Sequence, residues 1–101
     1  MMLVQLLLPM ADNEGVPFPE SDFAAIQSEL AARFGGLTAY NRAPAQGVWE
    51  HRGERQQDDI VIVEVMAETL DTAWWQDFRR RLEASLRQET IVIRAQSITL
   101  L

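Results

Sequence analysis

Three polar residues lie within apolar strand patterns and are the first candidates for chemistry: Gln5, Glu64 and Arg94. Each falls near the middle of one hydrophobic segment, residues 2–8, 60–66 and 91–96 respectively. Because a charged side chain under apolar cover loses its hydration, it has to be paired or hold a ligand. Two interpretations stay open. One is a Glu64–Arg94 ion pair within a sheet or across a dimer; the other is a site where Gln5 and Arg94 bind a small molecule.

Proton transfer near neutral pH is typical of histidine, and the chain has only one, His51. Trp49 lies two positions before it, so both side chains are expected on one face of a strand. In one interpretation His51 and Glu64 transfer protons in a catalytic site, and Tyr40 and Trp49 form aromatic walls that bind the ligand. In the other, His51 is an exposed hairpin residue beside a tryptophan that packs.

Composition excludes several kinds of chemistry. The 101-residue chain has no cysteine, which rules out disulfides, thiolate metal sites and a cysteine nucleophile. Its nine basic residues are all arginine, so a catalytic lysine is excluded, and this bias indicates a GC-rich bacterial genome. A net charge of −6 disfavours nucleic-acid binding, because phosphates would be repelled. No cofactor and no metal are expected.

The first residues, MMLVQLLLPM, predict a buried strand of a cytoplasmic protein. The apolar run lacks a basic leading region and a small-residue cleavage site, and no segment approaches the roughly 20 apolar residues of a membrane span. The following loop contains Asp12, Asn13 and Glu14. Hard cations prefer such oxygen ligands, but a calcium loop needs more of them, so a polar turn is expected here.

Hydrophobic periodicity predicts four strands and two helices. A helix over residues 21–34 has Ser21 as its N-cap and Gly35 as its stop. A second helix is capped by Asp71 or Thr72. Its buried stripe comprises Trp75, Phe78, Leu82 and Leu86. The strands are expected at residues 2–8, along an interrupted edge segment containing Pro44, at residues 59–67, and near the C-terminal end of the chain.

This order, strand–helix–strand–strand–helix–strand, predicts an α+β, ferredoxin-like βαββαβ domain over residues 1–101. Its four-stranded antiparallel sheet carries both helices on one face. The first and third strands are expected in the centre. Because residues 60–66 are apolar on both strand faces, the helix-free face also needs cover. A second copy of the chain is the simplest cover, so a homodimer is predicted.

Three motifs carry a resemblance to known proteins. They are FGG-x-T at residues 34–38, G-x-W at residues 47–49 and the apolar third strand at residues 60–65. With them the chain resembles small, uncharacterised bacterial ferredoxin-like proteins. More loosely, it is similar to dimeric α/β-barrel proteins, which include cofactor-free monooxygenases and isomerases. The motifs are structural, so the resemblance implies a fold and transfers no catalytic residue.

Two functions follow from these observations. The preferred hypothesis is a small homodimeric binding or accessory protein that does not bind nucleic acid or membranes. The alternative is a cofactor-free enzyme that acts on a small organic molecule in a cavity on the open sheet face. A preformed pocket on that face would favour the enzyme, and a dry, fully packed face would favour the accessory protein.

Overall fold

A computed structural model describes the backbone of residues 1–51 and 54–101, and the side chains of residues 1–39 and 59–101. The elements follow the predicted order. They are β1 (Met2–Pro9), α1 (Glu20–Phe34), β2 (Thr38–His51), β3 (Glu54–Ala67), α2 (Thr72–Ser85) and β4 (Val92–Ser97). The third strand begins five residues earlier than the predicted residue 59, because residues 54–58 pair with β2 in the hairpin.

The four strands form one antiparallel sheet in the order β2-β3-β1-β4. The predicted α+β fold is therefore confirmed, with β1 and β3 in the centre and β2 and β4 at the edges. The β2–β3 register shifts between Tyr40 and Ala45. Pro44 lies within this irregular stretch, as expected for a residue that cannot donate a backbone hydrogen bond to a neighbouring strand.

The hydrophobic core lies between the sheet and the two helices. The strand residues that contribute to it alternate along β1 and β3, and they are Val4, Leu6, Leu8, Val61, Val63 and Val65. The helix residues that pack on them include Ile26, Leu30, Trp75, Phe78 and Leu82. Since side chains alternate between the faces of a strand, the other residues of β1 and β3 lie on the opposite face, which we call the open face.

The two helices also contact each other directly. Phe34, at the end of α1, stacks on Trp75 of α2 with ring centroids 5.2 Å apart. Nearby, Arg81 of α2 forms ion pairs with Glu29 of α1 at 3.0 Å and with Asp77 of its own helix at 3.1 Å. The hydrogen bonds that Arg81 donates to both carboxylates raise its pKa, the bond to Glu29 most strongly.

Helix ends follow local chemistry, with one correction. The N-cap residue of α1 is Pro19 rather than the predicted Ser21, and no side chain caps this end. Gly35 is the predicted stop, since its φ is 80° and its N–H donates to the Ala31 carbonyl at 2.8 Å. In α2 the cap is Asp71, whose Oδ1 accepts a hydrogen bond from the Trp74 N–H at 3.1 Å.

The basic face of α2 is paired less regularly than its i,i+4 spacing predicts. Three acidic–arginine pairs are spaced i,i+4 along this segment and are expected to form ion pairs. Of these, Asp77–Arg81 and Arg79–Glu83 form, the second at 4.0 Å. The third, Glu83–Arg87, is replaced by tertiary contacts. Glu83 accepts a hydrogen bond from the Ile91 N–H at 2.8 Å, and Arg87 lies 3.7 Å from Asp12. No helix in the described part of the chain is long and apolar enough to cross a membrane.

Candidate functional site on the open sheet face

The strand register brings Gln5, Glu64 and Arg94 side by side. On β1, Gln5 is the partner of Glu64 on β3 and of Arg94 on β4. Its Nε2 donates to Glu64 Oε2 at 2.6 Å, and its Oε1 accepts from Arg94 Nε at 2.9 Å. We call this line of three residues the polar row. Its members lie on one face, as strand alternation predicts, but Gln5 separates the two charges instead of allowing a direct Glu64–Arg94 ion pair.

The polar row places a negative and a positive charge a fixed distance apart. Neighbouring strands are about 4.8 Å apart, so the Glu64 and Arg94 backbones are separated by roughly 10 Å. Glu64 is half-buried, whereas Arg94 at the sheet edge is exposed. Hydrogen bonds that involve a charged partner are shorter and stronger than neutral ones, so the amide of Gln5 fixes the orientation of both ends.

Apolar side chains flank the polar row on both sides. Towards one end of the strands, Leu3 lies between Met66 and Gln96; towards the other, Leu7 lies between Ile62 and Val92. Met66 and Val92 are about half exposed, at 50% and 48%. The open face therefore combines a charged line with hydrophobic surface, a composition typical of binding surfaces.

The aromatic and histidine candidates lie on β2, and their side chains are outside the described residues. The register pairs Tyr40 with Ile62, Trp49 with Gln56 and His51 with Glu54. Tyr40 is thus two positions along β3 from the polar row. His51 is ten positions along β3 from the polar row, which corresponds to roughly 33 Å at the usual rise per strand residue. Within one chain, His51 is too distant to share a cavity with Glu64, so a common site would need a second copy.

A groove lies at the end of β3. This groove of about 550 Å³ is formed by the C-terminal end of α1, the β3–α2 connection and the first turn of α2. Its lining comprises Arg33, Phe34, Met66, Ala67, Glu68, Thr69, Asp71 and Trp75. The guanidinium of Arg33 lies 4.3 Å from the centre of the Trp74 ring and 3.6 Å from Asp71. No sequence pattern predicts this groove, because its residues come from separate segments.

The acidic loop after β1 is a polar turn, as expected. Asp12 Oδ1 accepts hydrogen bonds from the Val16 and Glu14 N–H groups, both at 2.9 Å. The bond from Val16 contributes most to lowering the pKa of Asp12, with further contributions from Glu14 and Arg87. Among the described residues, no cluster of histidine and acidic side chains could hold a metal ion.

Comparison with solved structures finds a similar fold in a phage enzyme. A phage SAM lyase in complex with S-methyl-5'-thioadenosine superposes with a TM-score of 0.67 at 15% identity, covering 95% of this chain and 80% of that one. A structure of a phage SAM lyase in the apo state superposes with a TM-score of 0.61 at 13% identity. The match covers 94% of this chain and 78% of that one. Neither protein-family models nor curated sequences give a match. At this level of identity, the similarity shows a shared fold.

Proposed function

We propose that this protein binds a small zwitterionic molecule on its open sheet face and cleaves it without a cofactor, with S-adenosylmethionine as the first candidate substrate. The polar row is the observation that carries the proposal. It presents a carboxylate and a guanidinium on either side of the Gln5 amide, which orients both, and hydrophobic side chains flank them. A molecule with a cationic and an anionic group would bind along the row with its cation beside Glu64 and its anion beside Arg94.

S-adenosylmethionine fits this pattern chemically. Its sulfonium group, which is separated from the amino-acid end by the methionine side chain, is attracted to Glu64, and its carboxylate is attracted to Arg94. The fold similarity to a phage SAM lyase supports this choice of substrate. The half-exposed side chains of Met66 and Val92 supply apolar surface for the remainder of the molecule.

The proposed reaction needs no redox group. When a carbon–sulfur bond of a sulfonium breaks, the thioether leaves as a neutral molecule and keeps the bonding electron pair. In an elimination, a base accepts the proton from the adjacent carbon, and the electrons of that C–H bond form the double bond. Glu64 is the described residue suited to this role, because carboxylates act as general bases when positioned beside the substrate. The roles of His51, Tyr40 and Trp49 remain predictions.

The test is calorimetric titration with S-adenosylmethionine, followed by chromatography of the incubated mixture to detect a thioether nucleoside. Binding and cleavage are expected for the wild type. Glu64→Gln keeps an acceptor for Gln5 but removes the charge, so cleavage should fall at least tenfold. Gln96→Glu is the matched control, since it alters the charge of the same face outside the polar row. Absence of both binding and cleavage in the wild type would refute the proposal.

The accessory-protein hypothesis has one observation in its favour. The amide of Gln5 already donates one hydrogen bond and accepts another inside the chain, so these contacts are made without a ligand. Under this hypothesis the polar row only cross-links three strands. Binding of S-adenosylmethionine without turnover would support a binding protein, and neither binding nor turnover would support a structural role for the row.

A further inference from the structure

The open face is hydrophobic and, among the described residues, carries no helix. Both helices pack on the other face, against Val4, Leu6 and the odd-numbered valines of β3. Leu3, Leu7 and Ile62 are half-buried on the open face, and Met66 and Val92 are more exposed. Such an apolar sheet face favours association with another surface.

We propose that a second copy of this chain covers the open face, related to the first by a two-fold axis parallel to β1. The charge pattern of the polar row is what selects this partner. Read across the sheet, the row is negative at Glu64, neutral at Gln5 and positive at Arg94. A row of this kind complements itself when its direction is reversed, which a symmetric face-to-face dimer achieves.

The charges also select the direction of the axis. Rotation about an axis parallel to β1 reverses the row, so Glu64 of one copy faces Arg94 of the second copy. On the axis itself, Leu3 then faces Leu3 of the second copy. Rotation about an axis across the strands would instead set Glu64 against Glu64. Because like charges facing each other under cover are strongly unfavourable, the axis parallel to β1 is preferred.

This arrangement also deepens the proposed function, and in this respect it rests on it. Two stacked rows form two equivalent charge pairs, each with Glu64 from one copy and Arg94 from the other. Face-to-face sheets lie about 10 Å apart and twist, so their edges diverge from the centre of contact. In the dimer, a zwitterionic substrate would therefore bind at each diverging end between the carboxylate of one copy and the guanidinium of its partner, and not along the row of a single copy.

Cross-linking tests the axis directly, because the native chain has no cysteine. In Leu3→Cys the two introduced thiols should face each other across the dimer, within reach of a short bismaleimide, since packed sheets lie about 10 Å apart. We expect a covalent dimer of twice the chain mass. Ala24→Cys, on the exposed surface of α1, is the matched control and should stay monomeric on denaturing gels.

The alternative outcomes are distinct. If the two-fold axis instead ran across the strands, Leu3 of one copy would face Leu7 of the other. Leu3→Cys would then cross-link only when mixed with Leu7→Cys. A monomer or a larger ring in light scattering of the wild type would overturn the two-fold dimer. If Leu3→Cys does not fold, as judged by circular dichroism, Leu7→Cys alone provides the same test, since Leu7 also lies on the proposed axis.

Subunit mixing tests the shared site separately. Glu64→Gln and Arg94→Gln should each lose binding of S-adenosylmethionine. After unfolding and refolding together, the mixed dimers should contain one intact pair each, which restores about a quarter of the wild-type sites. Each refolded variant alone is the control. Binding by the wild type without recovery in the mixture would refute the shared site. A wild type that binds nothing would refute the proposed function, while cross-linking still decides the dimer.

Discussion

Replacing Gln5 by glutamate tests whether the polar row is held together as the structure shows. Gln5→Glu changes one NH₂ group into an oxygen and leaves the shape of the side chain unchanged. The acceptor for Arg94 remains. The Nε2 donor, which lies 2.6 Å from Glu64 Oε2, is replaced by a second carboxylate oxygen.

The size of the effect follows from two terms. The lost hydrogen bond to a charged acceptor is worth about 1.5–3 kcal/mol. Repulsion between two carboxylates about 4 Å apart adds roughly 1 kcal/mol in water and about 4 kcal/mol near a protein surface. Relaxation of the half-buried side chains and a stronger bond from Arg94 offset part of this sum. We expect the free energy of unfolding at pH 7 to fall by about 2 kcal/mol.

The loss should depend on pH with a definite sign. Repulsion raises the pKa of the introduced carboxyl group above the usual glutamate value of about 4.3. Below about pH 4.3 the group is protonated in both the folded and the unfolded state, so it does not destabilise the fold. As the pH rises from about 4.3 through the raised folded-state pKa, the destabilisation develops in full. Urea unfolding of variant and wild type at pH 7 and pH 4 should therefore show a difference that shrinks in acid.

Gln96→Glu is the matched control for this experiment. It introduces the same charge on the same face, next to Leu3 rather than beside a carboxylate. Its stability at pH 7 should lie within about 0.5 kcal/mol of the wild type, as for most surface substitutions. If Gln5→Glu is as stable as this control at pH 7, the hydrogen bond between Gln5 and Glu64 does not hold the row, and the reasoning is wrong.

Two further predictions concern local features. Gly35→Ala should lower the free energy of unfolding by about 1 kcal/mol, because alanine is strained at positive φ; Gly36→Ala should have a smaller effect, and equal midpoints in urea would contradict this. The pKa of Asp12 is lowered below its ordinary value of 3.8, mainly by the hydrogen bond from the Val16 N–H. Its stabilising contribution is therefore present above pH 3.8 and is lost as the pH falls through the lower folded-state value. Asp12→Asn keeps an acceptor without this titration, so thermal unfolding between pH 5 and about 2 should show a smaller acid dependence than the wild type. Identical acid profiles would show that Asp12 does not contribute.

Local sequence patterns determined much of the architecture. The buried positions of β1 and β3 follow from strand alternation, and the buried stripe of α2 follows from helical spacing, since both periods are properties of the backbone itself. The end of α1 at Gly35 and the cap at Asp71 are also local, because each depends on contacts within four residues. Such features can be predicted without knowing the tertiary contacts.

Contacts between distant segments were decided only by the tertiary structure. Alternation placed Gln5, Glu64 and Arg94 on the open face, but it could not show that Gln5 lies between the charges. That follows from the strand order and register, which join residues 59 and 89 positions apart. Glu83 shows the same principle. Its helical spacing predicts a pair with Arg87, yet the position of β4 gives it the Ile91 N–H instead, because an unpaired backbone donor is costly to leave without a partner.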